Sequence, residues 1–237
     1  MVGMSGYQVV VLISAGTEWR AVVERYPDAP VSPSPYGDWI ATTIPVNDNS
    51  ARVILFHGGW GKIAAAASAQ YALDRWKPAL LVNLGTCGGF AGAVARDTLI
   101  LATGTRVYDI VEQMGDPVAA LAHYAVDFDL SWLEPPYPQP VRPGLLLSGD
   151  RDLVPEELPA LRARYDAVAG DWESGAIAYV AARNGVRCLI LRGVTDLVGP
   201  EGGEAYDGSV TFFHERAPVV MGRLLDHLPA WLARAAV

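Results

Sequence analysis

Three acidic residues follow or begin predicted structural elements at positions where a carboxyl group can act on a bound molecule. Glu18 follows the apolar run Val9 to Ile13 and a turn of small residues, and Asp196 follows a second apolar run, Cys188 to Leu191. Glu173 lies at the predicted start of a helix. Ligands of open α/β sheets bind outside the carboxyl ends of the strands. There, one carboxyl group can protonate a leaving group while another activates a nucleophile.

Each acid also has a structural interpretation when it is taken alone. A glutamate in the first turn of a helix favours the helix dipole without any ligand. An aspartate after a strand is often a turn residue. Only the rest of the chain can decide between the two interpretations.

The segment from Asp171 to Gly199 must position two of these acids. Asp171 is predicted to cap a helix whose first turn holds Trp172, Glu173 and Ser174. Gly185 stands where a left-handed helix end is expected. The buried strand Cys188 to Leu191 follows, with Arg192, Thr195 and Asp196 at its carboxyl end.

A second predicted strand, Leu80 to Leu84, runs into a glycine-rich segment. Gly85, Thr86, Cys87, Gly88 and Gly89 are predicted to form a turn whose backbone approaches a ligand and offers amide donors. A plain glycine-rich turn is an equally good interpretation of so short a motif. The earlier glycine-rich turn before Lys62 lacks the GKS or GKT of a P-loop.

The remaining pattern alternates strands with helices, which predicts a mostly parallel, mixed and twisted sheet between layers of helices. We therefore expect a single three-layer α/β domain over residues 1–237. Helices are predicted at 19–25, 63–76, 155–165 and 210–228. Further strands are predicted at 39–44, 53–56, 98–102 and 145–147.

The composition excludes several classes of function. The net charge of −8, with no basic block, argues against a nucleic-acid groove. The two cysteines read as reduced thiols of a cytoplasmic protein, and the scattered histidines indicate no metal site. We expect no cofactor, signal peptide or membrane span.

Several segments together resemble the nucleoside phosphorylase superfamily, most closely its methylthioadenosine/S-adenosylhomocysteine nucleosidase branch. They are SAGTEWRAV, GWGKIAAAASAQYALDRWKPALLVNLGTCGGF, SGD and DWESGAIAYVAARNGVRCLILRGVTD, in the order of the family and over most of the chain. The resemblance implies hydrolysis of the N-glycosidic bond of a purine nucleoside, such as 5′-methylthioadenosine or S-adenosylhomocysteine.

The resemblance also implies roles for individual residues. The catalytic residues would be Asp196, which donates a proton to the leaving purine, Glu18, which activates water, and Arg192, which lines the water region. Glu173 would hold the ribose hydroxyls. The other substrate-binding residues would be Trp172, Thr86, Cys87, Gly88, Asp152 and Leu153. Burial is expected to raise the pKa of Asp196.

Several departures from the family bear on the nucleophile and the substrate. Phosphorylase branches carry an arginine where this chain has Asn83, and Glu18 would repel phosphate, so water is the favoured nucleophile. Asp152 stands where the nucleosidases carry an aromatic residue that stacks on adenine, and Trp172 replaces a smaller residue.

Other functions stay open beside this one. They are a phosphate-dependent phosphorylase, a nucleosidase for an unusual nucleoside or nucleotide, and a nucleoside-binding protein without catalysis. The family also implies a homodimer, for which the alanine-rich helix 63–76 is a candidate interface.

Overall fold

The computed structural model describes residues 7–133, 135–206 and 211–236. Its helices are α1 (Gly16–Arg25), α2 (Lys62–Trp76), α3 (Pro117–His123), α4 (Leu158–Tyr165), α5 (Ser174–Arg183) and α6 (Thr211–Arg234). Its strands are β1 (Val9–Ile13), β2 (Val31–Pro33), β3 (Asp38–Val46), β4 (Asn49–His57), β5 (Leu80–Phe90), β6 (Leu99–Val107), β7 (Val126–Asp127), β8 (Arg142–Ser148), β9 (Ala167–Asp171), β10 (Arg187–Gly199) and β11 (Gly202–Gly203).

All of these strands belong to one mixed sheet. Its order is β11-β10-β6-β8-β9-β5-β1-β4-β3-β2, with β7 paired to β6. Strand β10 also pairs in parallel with β5, which closes β5, β10, β6, β8 and β9 into a ring. The alternating pattern of the sequence did not indicate this closure.

Two hydrophobic cores separate the helices into layers on opposite sides of the sheet. Side chains alternate across a strand, so Val9, Val11 and Ile13 of β1 face the core that contains α1 and α6. Val10 and Leu12 face the other core, which contains α2 and α5. The predicted three-layer α/β class is confirmed.

The strands that carry the candidate site extend further than their apolar runs. Strand β5 includes Gly85–Gly89, so the predicted glycine-rich turn is wrong. This segment pairs with β10 and with β9. Strand β10 likewise includes Arg192, Thr195 and Asp196, which lie within the strand rather than after its carboxyl end. Paired backbone on both sides of β5 keeps these polar and glycine residues extended.

Helix boundaries differ from the predictions in several places, including α4, which begins at Leu158 rather than at residue 155. Asp171 ends β9, a strand the sequence pattern did not reveal, and α5 begins at Ser174. Asp171 still accepts hydrogen bonds from the backbone N–H groups of Glu173 and Ser174 at its start. Helix α1 begins earlier than predicted, so Glu18 lies in its first turn. Helix α6 ends later, at Arg234, and the predicted start at Val210 lies outside the described residues.

Two predicted local features are confirmed. Gly185 adopts a left-handed conformation, with φ of 66°. Lys62 begins α2, and Lys77 just after its end is left-handed. Among the described helices, none has both the length and the apolar character needed to cross a membrane.

Candidate active site

A cleft of about 600 Å³ opens between α1, β5, β10 and the start of α5. Nine of the ten predicted site residues line it: Glu18, Thr86, Cys87, Gly88, Asp152, Leu153, Trp172, Glu173 and Asp196. Arg192 does not line the cleft and lies fully buried behind it. The structure therefore brings together the three acids that are far apart in sequence.

Glu18 is fixed at one end of the cleft by the first turn of α1. Its Oε2 accepts a hydrogen bond of 3.2 Å from the backbone N–H of Ala15. Its Oε1 accepts bonds from the backbone N–H of Thr86 at 2.7 Å and from the Thr86 hydroxyl at 2.8 Å. Three donors thus hold a buried carboxyl group in one orientation at the wall of the cleft.

Asp196 projects into the cleft from an irregular part of β10. The register with β5 shifts between Val194 and Asp196, so Thr195 is the extra residue of a β-bulge. A bulge changes the direction of neighbouring side chains, and both Thr195 and Asp196 line the cleft. Burial raises the pKa of Asp196, although a 2.7 Å hydrogen bond from the Thr195 hydroxyl opposes this rise. The expected pKa direction is confirmed.

Glu173 lies at the N-terminus of α5, between the cleft and Arg192. Its Oε1 accepts a 3.0 Å hydrogen bond from the backbone N–H of Gly61. Its Oε2 lies 3.8 Å from Nη2 of Arg192. Burial raises the pKa of Glu173 to about 8, and the Arg192 guanidinium opposes that rise. Glu173 therefore takes up a proton far more readily than an exposed glutamate.

Arg192 organises a buried polar network beneath these acids. Its Nε lies 2.8 Å from Oδ2 of Asp171 and donates to the Ser174 hydroxyl at 3.0 Å. Its Nη2 donates to Oδ1 of Asn83 at 2.8 Å, and Nδ2 of Asn83 donates to the carbonyl of Leu12. A buried charge needs such partners, so Arg192 supports Glu173 from behind rather than contacting the cleft.

The glycines of β5 make room for this network. A Cβ atom at Gly85 would lie 1.8 Å from Nη1 of Arg192 and 3.1 Å from Oε1 of Glu18. Glycine is therefore needed at this position because the packing is close, and not because the chain turns there. Further along β5, burial raises the pKa of the Cys87 thiol, which keeps it neutral beside the acids.

Two tryptophans lie at the mouth of the cleft. Trp172, predicted from its place beside Glu173, packs against Trp60 with ring centroids 4.9 Å apart. The Trp60 side chain is 64% exposed, and the Gly61–Glu173 hydrogen bond ties its loop to the site. Tryptophan rings present a large apolar surface, so this mouth suits an apolar substituent.

Sequence reasoning missed several residues that line the cleft. They are Trp60, Tyr206, Thr17 and His214. Thr17 Oγ1 lies 2.8 Å from Nδ1 of His214, and the Tyr206 hydroxyl accepts a bond from the backbone N–H of Leu153 at 3.0 Å. Tyr206 and His214 come from a polar loop and the first turn of a long helix, where no spacing or motif indicates a ligand. Trp60 stands among glycines, which was the one available signal.

The arrangement combines an acid that is readily protonated with a fixed carboxyl group across one cleft. Such a pair can protonate a leaving group and direct a nucleophile. Within the described ranges, no cluster of three or more histidine, cysteine or acidic residues could hold a metal ion.

A family model described as the phosphorylase superfamily matches residues 8–229. The chain belongs to the phosphorylase superfamily. The match spans nearly all of the described residues, so it includes every element that contributes to the cleft.

Several relatives in this superfamily bear one name. The chain is 29% identical over 167 residues to the 5′-methylthioadenosine/S-adenosylhomocysteine nucleosidase of Bacillus subtilis, covering 65% of this chain and 72% of that protein. It is also 29% identical to the enzyme of the same name from Actinobacillus succinogenes, covering 67% and 74%.

Solved structures resemble the whole chain. The nucleosidase from Streptococcus pneumoniae in complex with 8-aminoadenine superposes with a TM-score of 0.75 at 19% identity, covering 96% of this chain and 99% of that one. Futalosine hydrolase from Helicobacter pylori gives a TM-score of 0.74 at 17% identity, covering 93% and 96%. At such low identity these likenesses concern the fold.

Proposed function

We propose that this protein hydrolyses the N-glycosidic bond of a purine nucleoside, with a 5′-modified adenosine such as 5′-methylthioadenosine or S-adenosylhomocysteine as substrate. One observation carries the proposal. Glu18, Glu173 and Asp196 come from three separate segments and line one cleft. Relatives named as such nucleosidases support the same reading.

Breaking this bond places charge on both fragments, the base and the sugar, and both charges must be stabilised. The leaving base gains negative charge, and a protonated Asp196 neutralises it by donating to the purine, at N7. The sugar gains positive charge, and the Glu18 carboxylate near it stabilises that cation. The raised pKa of Asp196 favours the protonated form that this step consumes.

In this proposal, Glu18 activates the water molecule that acts as the nucleophile. Its three donors are consistent with an ionised carboxylate, which accepts hydrogen bonds and can take a proton from water. Glu173 binds the ribose hydroxyls, with Arg192 and the Gly61 N–H holding its orientation. Thr86, Cys87 and Gly88 form the wall beside the sugar and base.

Water rather than phosphate is the proposed nucleophile. Asn83 stands where phosphorylases place a phosphate-binding arginine, and its side chain is fully buried and bonded to Arg192 and Leu12. The fixed carboxyl group of Glu18 would repel a phosphate dianion at this end of the cleft.

The proposal includes the cellular location of the enzyme and its assembly. Both cysteines are buried free thiols, which supports a reducing, cytoplasmic location. We also propose that the protein forms a homodimer.

A nucleoside panel incubated with and without phosphate tests the function. We expect free base and free ribose product in phosphate-free buffer, with no increase when phosphate is added. Release that depends on phosphate would make the protein a phosphorylase. Nucleoside binding without any release would make it a binding protein.

A further inference from the structure

Glu173 accepts a hydrogen bond from a segment that lies between β4 and α2 and belongs to neither. The donor is the backbone N–H of Gly61, which lies 3.0 Å from Oε1 of Glu173. The segment also contains Gly58 and Gly59, and the φ angles of Gly59 and Gly61 are 74° and 85°. Glycine loses more conformational freedom on ordering than any other residue. A donor in such a segment therefore needs support from outside it.

Lys62, the next residue, anchors the segment through both its backbone and its side chain. Its N–H donates to Oδ1 of Asp150 at 2.7 Å. Its ammonium group forms an ion pair with Oδ1 of Asp109 and lies 3.9 Å from Oδ2 of Asp150. The side chains of Lys62 and Asp109 are only 22% and 13% exposed, so water and salt screen this pair less than an exposed one.

The two aspartates are attached to the central sheet. Strands β6 and β8 are parallel neighbours with Val107 opposite Ser148, and Asp109 and Asp150 each follow two residues later. The N–H of Asp150 donates to Oδ2 of Asp109 at 2.9 Å, which joins the two loops. A Cβ atom at Gly61 would lie 3.2 Å from Oδ1 of Asp150. The glycine-rich segment is therefore packed closely against a support that the sheet holds in place.

This support lies outside the cleft, since Lys62, Asp109 and Asp150 do not line it. It can act on a bound nucleoside only through the segment that carries Gly61. We propose that Lys62 and Asp109 are positioning residues, which hold the Gly61 N–H on Glu173 and so direct its carboxyl group towards the sugar. The inference rests on the proposed function, in which Glu173 binds the ribose hydroxyls.

The test compares 5′-methylthioadenosine with its 3′-deoxy analogue, which lacks one ribose hydroxyl and keeps the base and the 5′ group. In the wild type we expect kcat/KM to favour the substrate that has the hydroxyl. Lys62→Met and Asp109→Ala should each lower that preference by about tenfold, the effect of a hydrogen bond to a charged group. A displaced Trp60, which is on the same segment, would instead affect both substrates equally.

Arg106→Met is the matched control for the loss of an ion pair. Arg106 pairs with Asp127 at 2.7 Å, its side chain is also 22% exposed, and neither residue lines the cleft. This variant should keep the wild-type preference even if it is less stable, because a general loss of stability changes the rates of both substrates alike.

Hydrogen exchange gives a second measurement that needs no turnover. In the unliganded protein, the protection factor of the Gly61 amide should fall by about tenfold in Lys62→Met and in Asp109→Ala, because local opening becomes easier. It should keep its wild-type value in Arg106→Met.

Three results would overturn the inference. They are an unchanged preference for the ribose hydroxyl in Lys62→Met, an equal change in Arg106→Met, or full protection of the Gly61 amide in Lys62→Met. If the wild type cleaves neither nucleoside, the proposed function fails separately. The exchange of the Gly61 amide then decides alone whether Lys62 and Asp109 hold this donor in place.

Discussion

Arg192 carries a positive charge with no exposed surface. Its guanidinium is shared by Asp171, Ser174 and Asn83, with Glu173 slightly further away. Removing one partner of a buried ion pair is costly because the other charge is left uncompensated. The charges of Asp171 and Glu173, which both line the cleft, are therefore coupled to a residue that lies behind it.

Asp196→Asn tests the proposed acid directly. Asparagine keeps the shape and the bond to Thr195 but has no acidic proton to donate. We expect kcat to fall by roughly 10²–10⁴-fold, the usual contribution of general acid catalysis, with an unchanged thermal unfolding midpoint. In the wild type, kcat should decline as pH rises through the raised pKa of Asp196. A variant that retains wild-type turnover would remove Asp196 from the mechanism.

Glu173→Gln should change how stability depends on pH. The folded protein holds the Glu173 proton up to a pKa of about 8, from an ordinary value of 4.5. Between these values the folded state binds more protons than the unfolded chain, so the unfolding free energy falls as pH rises, by at most about 1.4 kcal/mol per pH unit.

The glutamine variant lacks that dependence. Relative to the wild type, its unfolding free energy should therefore increase from pH 5 to pH 8, while kcat/KM falls because an amide replaces the carboxyl group that bonds to the ribose hydroxyls. Denaturant unfolding at several pH values measures the first effect. Glu156→Gln, a change of an exposed residue, should keep the wild-type slope. Parallel profiles for wild type and Glu173→Gln would contradict the burial argument.

At the scale of elements, β10 links the site to the outer helix layer. The bulge at Thr195 directs Asp196 into the cleft, and a few residues earlier Gly193 lets α6 approach the strand. A Cβ atom at Gly193 would lie 2.1 Å from Cγ1 of Val220 in α6. The packing of α6 and the position of the proposed acid therefore depend on the same strand.

Gly193→Ala should strain this contact. Overpacking of this kind typically costs about 1–3 kcal/mol, and we expect a lower unfolding free energy together with reduced kcat, since Asp196 shifts with the strand. Gly222→Ala is the matched control, because a Cβ atom at Gly222 would have no heavy atom within 4 Å. A Gly193→Ala variant that is as stable as the wild type in chemical denaturation would show that α6 can move away without cost.

The sequence predicted the elements that are stabilised by their own residues and missed those that depend on partners distant in the chain. Apolar runs marked the first halves of β5 and β10, and glycine at position 185 marked the end of α5. The second halves of both strands carry glycine and polar residues, which owe their extended form to partners distant in sequence. The same reason hid β9, a short segment that ends in glycine and aspartate and is held between β5 and β8.

The residues of the candidate site were likewise predictable only where the sequence contains a motif. The three acids stand in motifs that resemble a known family, so their positions were predictable and their roles stay predictions. Tyr206 and His214 belong to segments without a motif, and only the folded chain brings them to the cleft. The burial of Arg192 behind the cleft could not be predicted either, because nothing in its spacing distinguishes a residue in the cleft from one behind it.

At the scale of the whole molecule, the exposed apolar residues near the cleft bear on assembly. The alanine-rich face of α2 is already used within the chain, since Ala65, Ala69 and Ala72 pack in the core. Its N-terminus is different, with Ile63 86% exposed and Trp60 64% exposed. Large apolar side chains exposed together mark interaction surfaces, which supports this end of α2 as the interface of the proposed homodimer.

Ile63→Asp tests that interface by placing a charge within it. We expect the wild type to sediment as a dimer and the variant to shift towards monomer, since an unpaired buried charge disfavours association. Val219→Asp makes a comparable change at another exposed apolar residue, on α6, and should leave the dimer intact. A monomeric wild type at working concentration would rule out the proposed assembly.

The closed ring of β5, β10, β6, β8 and β9 gives each of its strands a neighbour on both sides. Among the described residues, the strands at the edges of the sheet are short: β11 and β7 have two residues each, and β2 has three, including Pro33. Short edges and proline are poor templates for foreign strands. We therefore expect the half of the molecule that surrounds the cleft to resist fibrillar aggregation, even with Trp60 open to solvent.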